Sequence, residues 1–117
     1  MPGAPFTQWQ IREQLDRAIG EGDIDAAWGF AKRLDPVPID RALALTVLLG
    51  RRSDPRFEAA ALRFVERFCA EAKPSLEAIS KVCDALSTIR RVGDLPAMSE
   101  GAARALEDLG RQLGRGH

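Results

Sequence analysis

The chain has 117 residues, 45 % of them apolar, and its 17 basic side chains balance 17 acidic ones, so it carries no formal net charge. That length and apolar content suffice for one domain to bury its own core without metal or disulfide staples. Neutrality excludes the uniformly basic surface that grips nucleic-acid phosphates or anionic lipid, leaving a local patch as the only route to such a partner.

The opening "MPGAPFTQWQ" lacks the basic and apolar regions of a secretory signal. The longest strongly apolar run, Ala42 to Gly50, is about half of what spans a bilayer. The expectation is a soluble, cytoplasmic protein without membrane contact. Cys69 and Cys83 fall in apolar patterns and read as reduced core thiols.

Six segments show helical spacing, and none sustains an alternation of period two. In the first, Thr7 is placed to cap with Gln10 at N3, and Phe6 and Ile11 to close a hydrophobic staple. Ile11, Leu15, Ala18 and Ile19 make its stripe, and Gly20 and Gly22 stop it. Asp23 caps a second helix with Ile24, Ala27, Trp28, Ala31 and Leu34 on its buried face, and "DPVP" ends it. The third, about Ile39 to Leu49, is apolar nearly all round and therefore belongs at the centre, with Gly50 as its stop.

Asp54-Pro55 reads as N-cap and N1 of the fourth helix, whose stripe is Phe57, Ala61, Phe64, Val65, Phe68 and Ala72, widened by Leu62 and Cys69. "KPS" separates it from the fifth, where Leu76, Ile79, Cys83 and Leu86 line one side with Val82 and Ile89 at its edge. Val92-Gly93-Asp94 ends that helix. The sixth starts near Pro96 and carries Met98, Ala102, Leu106, Leu109 and Leu113.

The connections alternate between Gly-to-Asp turns ("GEGD", "GRRSD", "GD") and proline breaks ("DPVP", "KPS"). Pairing helices across the glycine turns predicts three antiparallel hairpins of about 30 to 40 residues, within the range of helical repeats. The expected fold is all-α: one domain over residues 1–117, with 1–6 and 114–117 as flexible tails. The hairpins either stack as a short array, which the alternation favours, or close into a compact six-helix bundle.

At "GDIDAAWGFAKRLDP", Gly22, Asp23, Ile24, Asp25, Ala27, Leu34, Asp35 and Pro36 follow a pattern of Gly-Asp, apolar, acidic and Ala positions closed by Leu-Asp-Pro. Over Gly22 to Pro36 the chain resembles the second helix of a tetratricopeptide unit. That resemblance implies a binding scaffold for peptides or proteins.

Catalytic chemistry finds few residues to work with. Nucleophile activation usually recruits histidine, and the only one is His117, the last residue. Cys69 and Cys83 lack a partner histidine for a metal. Asp23-x-Asp25 starts like a calcium loop but has Trp28 and Leu34 where that loop needs Gly and Glu. "GRQLGRG" lacks the spacing and the preceding strand of a phosphate loop. Neither enzyme activity nor a cofactor or metal is expected.

The candidate interaction residues are Trp9 and a set of arginines. Trp9 lies opposite the first helix's apolar stripe, among Arg12, Glu13 and Asp16. It is either a contact residue or, as Pro5 and Phe6 nearby favour, covered by the N-terminal tail. If the hairpins stack, their glycine turns share one edge, where Arg51, Arg52 and Arg56 would meet Arg90 and Arg91. Arg90 and Arg91 also suit the last turn of a helix, whose dipole favours cations. The leading expectation is a non-catalytic protein-interaction module, an adaptor or scaffold able to form a homodimer. The alternative is a small nucleic-acid-associated regulator that uses the arginine patch.

Overall fold

The computed structural model describes residues 7–115. The Phe6 staple, the tail residues before Thr7, and His117 lie outside that range. Within it the chain is six helices: α1 (Gln8–Glu21), α2 (Ile24–Lys32), α3 (Ile39–Arg51), α4 (Phe57–Ala72), α5 (Leu76–Val92) and α6 (Pro96–Arg115). The last continues through Gly114 and Arg115, positions expected to belong to the tail.

Local chemistry explains several boundaries. Thr7 and Gln10 form the reciprocal capping box at the start of α1, satisfying amides that a helix otherwise leaves open. Asp23 caps α2 through the Ala26 amide and Ser75 caps α5 through that of Ala78. Gly22 ends α1 in the left-handed region, φ 72°, which costs a glycine little. Two expected signals act differently. Gly50 does not stop α3, which runs on to Arg51. Nor does Asp54 cap α4: Asp54, Pro55 and Arg56 form a separate turn, in which the Asp54 carboxylate accepts the Arg56 amide at 2.9 Å, and α4 starts at Phe57.

The helices pair as α1/α2, α3/α4 and α5/α6 hairpins. The apolar α3 packs against every other helix, as a segment without a wet face must. Helix α6 returns to α3 as well as to its partner α5, so α3 to α6 close around a shared core rather than stacking in open series. The α1/α2 hairpin docks on α3 alone among those four. Arg41 of α3 ties α1 down, its Nε and Nη2 each 3.1 Å from the Asp16 carboxylate.

The core holds Leu15, Leu43, Leu49, Phe64, Ile89 and Leu106 at or near zero exposure. Some stripes are turned from their expected phase. On α5 the buried residues are Val82, Leu86 and Ile89, whereas Leu76 is 85 % exposed. On α6, Ser99, Ala103 and Leu106 face inward and Met98 faces out. Leu62 of α4 is also exposed. The cysteines are free thiols but not core residues: Cys69 is half-buried and Cys83 exposed. Periodicity fixes that a stripe exists; which of its edges is covered depends on the neighbouring helices.

Candidate functional site

The three glycine turns lie together on one edge of the bundle. The Gly50 and Gly93 backbones touch so closely that a Cβ on Gly93 would sit 2.5 Å from the Gly50 carbonyl oxygen. The Arg52 guanidinium reaches across to Gly22, where it occupies the place of a side chain. Arg90 shares a shallow depression with Ser53, Asp54 and Pro55. Arg51 lines another depression with Gly93 and Asp94, so Arg51, Arg52 and Arg90 lie along this edge.

Their charge is largely compensated. Arg56 is bonded to Asp54 at 2.8 Å through both Nε and Nη2, and its Nη2 also reaches Asp25 at 3.2 Å. The Arg56 guanidinium holds the Asp54 carboxyl down to about 2, since hydrogen bonds from a cation favour the charged form. Asp54 and Asp25 in turn raise the Arg56 guanidinium above its ordinary value. Arg51 lies 3.8 Å from Glu107 and Arg90 3.9 Å from Glu58. Among the described residues, Arg52 and Arg91 make no ion pair, and Glu21, Asp23 and Asp94 lie in or beside the same turns. Trp9 is 65 % exposed; the tail expected to cover it lies outside the described residues.

A second feature joins residues that sequence spacing keeps apart. Trp28, Ala31 and Lys32 of α2, Val37 of the following linker, Ala42, Leu45 and Thr46 of α3, and Ala60, Arg63, Phe64 and Arg67 of α4 line an open cleft of about 190 Å³. Its floor is apolar, because the one hydroxyl there, that of Thr46, donates to the Ala42 carbonyl at 2.7 Å. Its rim is basic, and no carboxylate lines it. Arg67 is engaged, donating to Glu71 at 2.8 Å and to the Val37 carbonyl at 2.7 Å. Lys32 lies 6.0 Å from the Trp28 ring centre, within cation–π range. Neither Lys32 nor Arg63 makes an ion pair among the described residues.

Trp28 is also held from the turn that leads into α4, with the Arg56 guanidinium carbon 5.2 Å from its ring centre. Arg56, a candidate contact residue, thus braces a wall of the cleft. The cleft itself escaped the sequence reading because Trp28 and Phe64 each fit a core stripe. The available signal was cations beside aromatics on two helices: Lys32 one turn after Trp28, and Arg63 and Arg67 flanking Phe64.

A larger groove, about 500 Å³, runs between α3 and α6 beside Ile19. Its charged lining mixes Asp40 and Glu107 with Arg51 and Arg111, so it prefers neither sign. Among the described residues no three histidines, cysteines or carboxylates converge on a point that would hold a metal. No helix among them is long and apolar enough to cross a membrane. No family model, curated protein or solved structure matches the chain.

Proposed function

We propose that this protein is a non-catalytic interaction module, an adaptor or scaffold that receives a segment of another protein. The observation that carries the reading is the open apolar cleft between α2, α3 and α4, walled by Trp28 and Phe64. Its size decides between classes of ligand. At about 190 Å³ it is smaller than the pockets of roughly 300–1,000 Å³ that take cofactors and drug-sized molecules. It suits one large side chain presented by a longer partner, as in the anchor pockets of protein interfaces.

The nucleic-acid alternative loses support from the compensation of Arg51, Arg56 and Arg90 by Glu107, Asp25, Asp54 and Glu58. Each paired cation would have to surrender its acid before neutralising a phosphate.

Site-specific photo-crosslinking in the host tests the reading. Ala59 is exposed, one turn before Arg63 on α4 and next to Ala60, and both of those residues line the cleft. A photoreactive phenylalanine there is expected to give a discrete protein adduct that the same group at Glu77, exposed on α5, does not give. Identical adducts from both positions, or none from Ala59, overturn the proposal.

A further inference from the structure

The cleft also carries information about what enters it. Two uncompensated cations flank its mouth from opposite walls, Lys32 on α2 and Arg63 on α4. On those walls Glu71 is paired with Arg67 and Asp25 with Arg56, while Glu66, three residues past Arg63, does not line the cleft. A site with an apolar floor, unpaired cations at its rim and no carboxylate has one complementary partner chemistry. We infer that the α2–α3–α4 cleft binds an acidic–apolar protein segment, resting on the interaction-module reading above: one large apolar side chain enters against Trp28, Leu45 and Phe64, and carboxylates on either side of it meet Lys32 and Arg63.

The two parts of the site do different work. Burial of the apolar anchor supplies most of the affinity, because exposed ion pairs are weak in water. The cations select the sign of the segment and speed its approach. A basic segment with the same anchor meets like charge on both walls. The α3–α6 groove cannot discriminate in this way, since its rim carries both signs. A small amphiphilic carboxylate would satisfy the same cations but would leave most of its body outside so small a cavity.

The test uses the full chain and three fluorescein-labelled peptides: Glu-Glu-Phe-Leu-Glu-Glu, its Lys-for-Glu counterpart, and a version of the first with Ser-Ser in place of Phe-Leu. Fluorescence anisotropy measures affinity, and the Trp28 indole resonance in ¹H–¹⁵N spectra reports the place. The acidic apolar peptide is expected to bind best, shift the Trp28 indole and weaken as salt rises. The Lys32→Glu/Arg63→Glu double variant should weaken it at least about tenfold and favour the Lys peptide. Both positions are exposed, so the variant is expected to keep its fold, which circular dichroism checks.

Equal binding of the acidic and basic peptides overturns the inference while leaving an interaction module standing. So does binding that shifts α6 resonances and spares Trp28. Failure of the acidic peptide to move the Trp28 indole even at millimolar concentration overturns it too. No adduct from Ala59 brings down the interaction-module reading, and this inference falls with it.

Discussion

Arg56 joins Asp54, Asp25 and the Trp28 ring, and so connects the turn before α4 to the face of α2. Its partner Asp54 titrates at about 2 in the fold, whereas an unperturbed aspartate titrates near about 3.9. A depressed native value means that the pair adds stability above the unfolded value and loses it as pH falls through the native one. Arg56→Gln is therefore expected to raise the Asp54 midpoint toward the ordinary aspartate range, read from its carboxyl ¹³C shift. The variant should be less stable than the parent at neutral pH, with the gap narrowing between about pH 4 and about pH 2. An Asp54 midpoint that stays near about 2 in the variant would show that Arg56 is not the cause. The Asp25 and Trp28 contacts of Arg56 were not legible in sequence, because Asp25 lies 31 positions from Arg56 and both partners come from a different hairpin. Glu107 on Arg51 is likewise supplied by the last helix.

At the scale of elements, glycine does its most specific work where α3 and α5 end side by side. A methyl group on Gly50 would collide with the Ile89 side chain and lie 3.1 Å from the Phe57 ring. One on Gly93 would meet the Gly50 carbonyl, a backbone group that no rotamer change removes. Gly101, on the exposed face of α6, has open space within 4 Å of where a Cβ would stand. Gly50→Ala is accordingly expected to cost about 1–3 kcal/mol and Gly93→Ala more, while Gly101→Ala gains about 0.5–1 kcal/mol. Urea denaturation of the three variants checks this order, and a neutral Gly93→Ala would contradict the close packing of the turns. The sequence made the helices themselves legible, through Thr7, Asp23 and Ser75 as caps and through apolar spacing. It could not distinguish a glycine that ends a helix, such as Gly22, from one that lets two helices touch, such as Gly50. Nor could it phase the broad stripes of α5 and α6. Cys83 and Val82 both belong to α5's apolar pattern, and only the placement of α3, α4 and α6 buries Val82 and leaves Cys83 in water. The cleft was hidden for the same reason, since Trp28 and Phe64 line one cleft only once α2 and α4 flank α3.

For the whole molecule, connectivity sets how stability is distributed. Helices α3 to α6 form a closed circuit in which each packs on two or more of the others. The α1/α2 hairpin is joined to that circuit through α3, with Arg41–Asp16 as a polar clasp and the Arg56–Asp25 pair and Trp28 as a second tie. Opening the hairpin exposes its own buried face and part of α3, but leaves the contacts among α4, α5 and α6 intact. Undoing α3 takes a packing partner from every other helix at once. Partial opening of the hairpin should therefore cost less free energy than global unfolding. Native-state hydrogen exchange at low denaturant is expected to show amides of Leu15, Ala18, Ala27 and Ala31 exchanging by a route cheaper than that of Leu43 to Leu49. A second expectation ties this motion to the cleft. Trp28 and Lys32 travel with α2 while Arg63 and Phe64 stay with α4, so an opening hairpin pulls the two walls apart. The acidic apolar peptide, bridging both, binds only the closed cleft, so it should raise protection in α1 and α2 and raise that of the slowest α3 amides by the same free-energy increment. Equal protection of the hairpin and α3 in the free protein would mean that all six helices open as one unit, and that the cleft has no loose wall for a partner to tighten.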